Sequence, residues 1–143
     1  MKKDIHISTA SESDFAEIIQ LATRFDLDTE GVEWGQFMVA KQDTSIIGFG
    51  RLRFYSGSEQ CMEVATVGVV PEERNKGVGS AIVNELIRKG PHEIYVTCVI
   101  PAFFEKLGFK TVKQYPSVLQ KKVDFCKLYS YTDDQIFVML LQK

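Results

Sequence analysis

The stretch Val67-Gly-Val-Val-Pro-Glu-Glu-Arg-Asn-Lys-Gly-Val-Gly-Ser80 decides how the rest of the chain is interpreted. It continues a run rich in β-branched residues, 60–70, which predicts a strand. After the loop, Val78, Ile82 and Leu86 recur at helical spacing, which predicts a helix. A loop that leads from a strand into a helix is suited to an anion, because the N–H groups of the first helical turn have no intrahelical acceptors.

The composition of this loop strengthens the case for an anion. Gly77 and Gly79 let a phosphate approach the backbone closely, and Arg74 and Lys76 add positive charge. On the glycine spacing alone, a plain strand-to-helix turn is an equally good interpretation. Two familiar phosphate loops are excluded, because the Walker pattern is missing and Ile82 stands where a dinucleotide fingerprint needs its third glycine.

Strands and helices alternate through the rest of the chain. The predicted strands are residues 4–9, 35–41, 45–55, 60–70, 94–99, 109–113 and 135–141. Four helices are predicted. The first begins after a cap at Ser11 or Ser13, and the second runs from the glycine loop to Lys89. The third begins at Pro101, and the fourth covers residues 117–128. The strand–helix–strand unit in the middle requires a local parallel pair. This order predicts an α/β (α+β) chain with a mixed sheet and helices on its faces.

Composition and charge bound the function. With 45% hydrophobic residues and a formal charge of −2, the 143 residues predict one ordered domain, 1–143, without affinity for nucleic acid or membranes. No apolar stretch follows the lysines at the start, so no signal peptide is expected. The three cysteines, Cys61, Cys98 and Cys126, are far apart, and only His6 and His92 accompany them. We therefore expect a reduced, cytoplasmic, metal-free protein.

Two motifs resemble those of a known superfamily. The residues Arg74-Asn-Lys-Gly-Val-Gly79 are similar to the pyrophosphate loop of the GNAT N-acetyltransferases, and Phe103–Phe109 (FFEKLGF) resembles the family's FYEKLGF segment. The order of the elements also matches. The resemblance implies the GNAT fold: a mixed, mostly antiparallel sheet of six to seven strands, helices on both faces, and a splayed parallel pair at the cofactor cleft.

The resemblance also implies acetyl-coenzyme A as co-substrate. The backbone of Val67–Val69 would pair with the pantetheine arm, and an N–H near Val69 would stabilise the oxyanion as an amine attacks the thioester directly. The expected cofactor-binding residues are Val67, Gly68, Val69, Arg74, Asn75, Lys76, Gly77, Val78, Gly79, Ser80 and Phe104.

Glu63 is the candidate general base. It stands where members similar to the histone acetyltransferases carry their glutamate, eleven positions before Arg74. Strand alternation places it in an apolar row with Cys61, Ala65, Val67 and Val69, where desolvation would raise its pKa toward a useful range. A salt-bridged strand glutamate is the alternative interpretation.

One residue departs from the family pattern. Phe104 stands where many members carry the tyrosine that protonates the departing thiolate. Tyr95, Tyr131 or a water are open alternatives for that role, and a thiolate also leaves tolerably without help, because a free thiol has a pKa of about 8.5.

The acceptor amine is suggested by a second resemblance. Residues 96–126 resemble the acetyltransferase domain of N-acetylglutamate synthase, which implies a stand-alone version of that domain. Arg51 and Arg53 stand two apart on one strand and would form a carboxylate clamp, with Lys121 or Lys122 as further anchors. Two solvated arginines on an outer face are the alternative. We therefore expect a small acidic amino acid, glutamate first, as the acceptor.

Other functions stay open at this point. Acidic residues before the hairpin, Asp26, Asp28, Glu30 and Glu33, would favour a cationic acceptor such as a polyamine, an aminoglycoside or a protein N-terminus. The missing tyrosine leaves room for a non-catalytic module that only binds acetyl-coenzyme A. A homodimer is also compatible with the sequence.

Overall fold

The computed structural model describes residues 4–143. Lys2 and Lys3, on which the expectation about a signal peptide rests, lie outside the described residues. The strands are β1 Ile5–Thr9, β2 Phe37–Gln42, β3 Ser45–Tyr55, β4 Cys61–Val69, β5 Glu93–Cys98, β6 Lys110–Thr111 and β7 Phe137–Gln142. The α-helices are α1 Phe15–Arg24, α2 Val78–Lys89, α3 Pro101–Glu105 and α4 Gln120–Lys127.

The strands form one mixed sheet. Its order is β1-β2-β3-β4-β5-β7-β6, mostly antiparallel with one parallel pair, β4 and β5. This confirms the predicted mixed sheet. The chain divides into two compact units, one made of the chain up to Leu52 with Val64–Lys89, the other of Arg53–Glu63 with Gly90–Lys143. Strands β3 and β4 run through both units, and the single domain over residues 1–143 stays a prediction.

The core of the first unit is built by the apolar face of α1. Ile18, Leu21 and Ala22 are buried at helical spacing, and they pack with Phe37 and Phe49 of the hairpin. The helix begins as predicted near Ser11, whose backbone N–H donates to Asp14 Oδ2 at 2.9 Å over a preceding 3-10 turn. One side of β2 and β3 is thereby covered.

The predicted hairpin is present in the first unit. Strands β2 and β3 are antiparallel with Val39 opposite Phe49, and Asp43 takes the left-handed conformation, φ 58°, that a two-residue turn requires. Strand β2 begins at Phe37 rather than at residue 35 as predicted, because Trp34–Gln36 forms a 3-10 turn.

Helix α2 packs closely on the hairpin of the same unit. A Cβ at Gly48 would lie 2.9 Å from Ile82 Cδ1 and 3.0 Å from Val78 Cγ1, so the helix requires a glycine there. Val78, Ile82 and Leu86 are buried, as their spacing predicts. This packing fixes where α2 begins, which matters for the loop before it.

Gly68 offers a test of the packing between β4 and the ring of Phe49. We expect Gly68→Ala to lower the free energy of unfolding by about 1–3 kcal/mol, because its Cβ would lie 2.6 Å from Cζ of the buried Phe49 ring. Denaturant titration measures this. Gly35→Ala is the control, since its Cβ would have no heavy atom within 4 Å. Equal stabilities of the two variants would contradict the packing.

The second unit is built on the antiparallel strands β5, β7 and β6. Its core contains Leu119, Val123 and Val138 with Tyr55 and Cys61. Two predictions are refined. Strand β6 is shorter than residues 109–113, and the helix over 117–128 opens with a 3-10 turn, Ser117–Leu119, and ends at Lys127. Gly108 follows α3 with φ 104°, the left-handed conformation common after a helix. Within the part of the chain that the structure describes, no helix has the length and apolar character to cross a bilayer.

Candidate active site

The loop before α2 has the backbone conformation of an anion-binding nest. Asn75 and Gly77 both take the left-handed conformation, with φ 64° and 88°, and the helix begins at Val78. Left-handed residues next to ordinary ones turn successive N–H groups to one side, which makes a nest for an anion. A Cβ built at Gly77 has no heavy atom within 4 Å, so the chain itself leaves this space open.

The first turn of α2 adds further N–H groups directly after this loop. Val78, Gly79 and Ser80 are the first residues of α2, and their N–H groups have no acceptor within the helix. The Val78 side chain is 4% exposed and belongs to the core, so its predicted contribution to binding is that of its backbone. The positive end of the helix dipole lies here as well.

Two basic side chains belong to the loop. Arg74 donates from Nε to the carbonyl oxygen of Val69 at 2.8 Å, and its guanidinium lies 5.1 Å from the centroid of the Phe25 ring. Lys76 Nζ lies 3.6 Å from Glu73 Oε2. Arg74 therefore ties the loop to the end of β4, while both residues supply positive charge beside the nest.

Strand β4 changes its facing at Thr66, which corrects the predicted apolar row. Thr66 has φ 54°, a left-handed conformation that is rare for a β-branched residue. Before it, Cys61 and Glu63 are buried; after it, Gly68 is buried and its neighbours Val67 and Val69 are half-buried. The prediction that Val67 and Val69 continue the row of Glu63 is therefore wrong, because one irregular residue shifts the alternation.

Glu63 lies in the second unit and is fully buried. Its Oε1 accepts a hydrogen bond of 2.8 Å from the hydroxyl of Tyr55. The guanidinium of Arg53 lies over the ring of that tyrosine, 4.5 Å from its centroid. Since Arg53 and Tyr55 are two apart on β3, they project from the same face, which is also the face that Glu63 contacts. This places Arg53 on the side of the candidate base.

The buried cysteines stay protonated near neutral pH. Burial, together with the negative charges of Glu63 and Glu59, raises the pKa of the Cys61 thiol to about 11. Burial also raises the pKa of Cys98 to about 11, against the hydrogen bond from the Ile100 backbone. Because the thiolate is the nucleophilic form, neither side chain is suited to carry an acyl group.

The aromatic residues considered for thiolate protonation have different surroundings. Phe104 is 4% exposed and packs edge-to-face against Phe103 and Phe109, at centroid distances of 4.9 and 5.5 Å, which is a core position. Burial raises the pKa of Tyr95, and Glu93 and Cys61 add to the shift, so its phenol keeps its proton. Tyr131 is 40% exposed at the surface.

Arg51 differs most from its predicted role as a carboxylate clamp. It is fully buried, and its guanidinium donates to Thr66 Oγ1 at 2.8 Å, Gln36 Oε1 at 3.1 Å and the carbonyl oxygen of Glu30 at 3.0 Å. Ile47, Phe49 and Tyr55, which alternate with the neighbouring positions of the same strand, are buried as well. The charge is therefore used inside the first unit, and these contacts do not present it to an acceptor.

The remaining predicted anchors lie at the surface. Lys121 is exposed on α4, and Lys122 holds its Nζ 5.5 Å from the Phe125 ring centroid. In the acidic segment, Asp28 is buried and its Oδ1 accepts from the Glu30 backbone N–H at 2.9 Å, which is a turn-forming contact. Among residues 4–143, no group of three or more His, Cys, Asp and Glu side chains is arranged to hold a metal ion.

Sequence reasoning missed three residues of these surroundings: Thr66, Gln36 and Tyr55 as the partner of Glu63. The sequence did contain a signal that Tyr55 belongs to this site, because strand alternation places Tyr55 on the same face as Arg53. No local signal marks Thr66, since a β-branched residue inside a strand predicts regular geometry. The partner of its hydroxyl, Arg51, stands fifteen positions away.

Comparison with known proteins places the fold and the family. An uncharacterized N-acetyltransferase of Chlorobaculum tepidum is 29% identical over 82 residues, which cover 54% of this chain and about half, 52%, of that relative. N-acetylglutamate synthase from Neisseria gonorrhoeae, solved with coenzyme A and N-acetyl-glutamate, superposes with a TM-score of 0.76 at 16% identity, over 99% of this chain and 36% of its own.

A third similar structure is that of Rv2747 from Mycobacterium tuberculosis, solved in complex with coenzyme A and a second ligand. Its TM-score is 0.73 at 23% identity, over 96% of this chain and 99% of its own. These likenesses show the fold. The sequence itself matches the acetyltransferase (GNAT) family over residues 5–109, more than half of its length. The chain therefore belongs to the acetyltransferase (GNAT) family.

Proposed function

We propose that this chain transfers the acetyl group of acetyl-coenzyme A directly to a primary amine of a small molecule, an acidic amino acid such as glutamate first. The observation that carries the proposal is the nest at Asn75 and Gly77 before α2, in a chain of the GNAT family. The open space at Gly77 fits the pyrophosphate of coenzyme A, because a diphosphate needs backbone N–H donors at close range.

In this proposal the residues of the loop bind the pyrophosphate of coenzyme A, and the residues of β4 orient its pantetheine arm and thioester. The N–H groups of residues 74–80 hold the pyrophosphate, and Arg74 and Lys76 add charge. The backbone of Val67–Val69 pairs with the pantetheine arm, and one of its N–H groups faces the thioester oxygen as negative charge develops there. Phe104, whose ring packs against Phe103 and Phe109 in the second unit, stays a predicted cofactor-binding residue.

Glu63 takes the proton from the ammonium group of the acceptor, directly or through water. The freed amine forms a C–N bond with the thioester carbon, the C–S bond breaks, and the new amide nitrogen releases its second proton to water. Coenzyme A leaves as a thiolate that Tyr95 or water reprotonates. The high pKa values of Cys61 and Cys98 support direct attack over an acyl-cysteine intermediate. Tyr55 holds the carboxylate of Glu63 in place through its hydrogen bond.

The proposal of an acidic acceptor is supported by Arg53, Lys121 and Lys122, and no longer by Arg51. Arg53 lies on the face that Glu63 contacts, and Lys121 and Lys122 stand on α4 of the same unit. The similarity to a structure named N-acetylglutamate synthase points in the same direction. The homodimer and the cytoplasmic location stay predictions.

A thiol-release screen with acetyl-coenzyme A tests the acceptor. We expect kcat/KM for glutamate to exceed that for spermidine and a neutral amino acid, and Arg53→Ala to lower it about tenfold or more, because a charge-assisted contact is worth roughly 1.5–3 kcal/mol. Arg88→Ala is the matched control, since Arg88 is exposed on α2 and paired with Glu85 at 2.8 Å.

Each other outcome of the screen has a defined meaning. Preference for spermidine or for peptides would replace the acidic acceptor while keeping the transferase. Full glutamate activity of Arg53→Ala would remove that residue from the acceptor site. Binding of acetyl-coenzyme A without turnover on any amine would indicate a non-catalytic module.

A further inference from the structure

We infer that Arg51 is a positioning residue for acetyl-coenzyme A: it holds Thr66 in the left-handed conformation, which sets the backbone of Val67–Val69, and it fastens this turn to residues 28–36. The inference rests on the proposed function and deepens it. It names a residue that touches no ligand and acts through the strand that does. Every contact that carries it lies within the first unit.

Arg51 uses its whole guanidinium inside this unit. All three nitrogens donate: Nε to Thr66 Oγ1 at 2.8 Å, one terminal nitrogen to Gln36, and the other to the carbonyl oxygens of Glu30 and Asp28. A guanidinium with no exposed surface is costly unless its donors are used. Its planar fork fits several acceptors at fixed angles, which lysine does not reproduce.

Thr66 needs the support that Arg51 gives. A β-branched residue at φ 54° is a genuine outlier, and a strained conformation persists only where its surroundings impose it. Here the Thr66 hydroxyl accepts from Arg51 and donates to the carbonyl oxygen of Asp28 at 2.7 Å. The hydroxyl is thus held from both sides, and the strain is offset by two buried hydrogen bonds.

Residues 67–69 of β4 owe their facing to the turn at Thr66. A Cβ at Gly68 would point at Phe49, whereas Val67 Cγ2 lies 3.3 Å from a Cβ built at Gly50, on the opposite face of β3. If Thr66 returned to regular strand geometry, residues 67–69 would rotate to the other face, and their N–H and C=O groups would move with them. The conformation of Thr66 therefore decides what this strand presents to a ligand.

The turn is also joined to residues 28–36. Asp28 and Glu30 contribute carbonyl oxygens and Gln36 contributes its side-chain oxygen, so Arg51 and Thr66 make four hydrogen bonds to this segment. A fifth hydrogen bond joins Arg51 to Thr66. A ligand that pairs with residues 67–69 favours the conformation in which these bonds form. Binding along β4 is then coupled to the order of residues 28–36.

Calorimetry with coenzyme A on wild-type protein and four variants tests the inference. We expect Arg51→Met and Thr66→Val each to weaken affinity about tenfold, the change that strain of this kind produces. Thr66→Gly should stay within about threefold of wild type, because glycine adopts the left-handed conformation without support. The double variant Arg51→Met with Thr66→Gly should recover most of the lost affinity.

The rescue separates positioning from stability. Thermal unfolding of every variant accompanies the titrations, and each affinity is measured well below the unfolding temperature, so recovery in the double variant reports the conformation at position 66 rather than the folded fraction. Unchanged affinity of Arg51→Met, or no recovery in the double variant, would overturn the inference while leaving the proposed function intact. Wild-type protein that does not bind coenzyme A would overturn the proposed function and the inference with it.

A second measurement decides the case in which Arg51→Met does not fold. Hydrogen exchange of wild-type protein, with and without coenzyme A, reports on the amides of residues 28–36. Greater protection of this segment on binding is the expected result. Protection confined to residues 67–80 would overturn the coupling.

Discussion

Replacing Glu63 by glutamine is expected to lower kcat by about 10²–10⁴-fold, with little change in the affinity for acetyl-coenzyme A. Glutamine keeps the size of the side chain and can still accept the hydrogen bond from Tyr55, but it cannot take a proton. The acceptor ammonium then has to lose its proton to water. Steady-state kinetics with the best acceptor from the screen, together with calorimetry, measure both quantities.

The pH–rate profile supplies a second readout of the same variant. If Glu63 is the base, its acidic limb reports the protonation of this carboxylate and should flatten in Glu63→Gln. Glu93→Gln is the matched control, because Glu93 is an exposed strand glutamate that accepts from Gln142 at 2.8 Å. Survival of both turnover and the acidic limb in Glu63→Gln would show that another group or bulk water is the base.

The elements that carry strong local patterns were predictable from the sequence. The apolar stripe of Val78, Ile82 and Leu86 indicated α2, and the loop before it indicated the site of the nest. The parallel pair followed from a strand–helix–strand unit, because two parallel strands require a crossover connection. These features depend on residues close together in the chain.

The features that the sequence did not indicate depend on distant partners. Arg51 looks like an exposed strand arginine as long as Thr66, Gln36 and the carbonyl oxygens of residues 28–30 are unknown. The facing of Val67 and Val69 was missed for the same reason, since alternation assumes a regular strand and Thr66 breaks it. Both differences involve one buried cation, whose contacts join segments fifteen or more positions apart.

The affinity for coenzyme A is the quantity that Gly77→Val should change most. The valine side chain would occupy the space that the pyrophosphate needs. We therefore expect the affinity to fall by two orders of magnitude or more, below what calorimetry detects. Each tenfold loss of affinity corresponds to about 1.4 kcal/mol of binding free energy. Valine at φ 88° is also strained, which costs about 1–3 kcal/mol of folding free energy. Circular dichroism and thermal unfolding therefore accompany the titration.

Gly57→Val separates the effect of strain from the loss of the site. Gly57 also has a positive φ, 124°, and a Cβ there also has no heavy atom within 4 Å, but it lies in the turn between β3 and β4. Both variants should lose similar stability, and only Gly77→Val should lose binding. A folded Gly77→Val that binds coenzyme A as tightly as Gly57→Val would remove the pyrophosphate from this loop, because the two variants share the strain of a valine at positive φ and differ in whether its side chain stands in the nest.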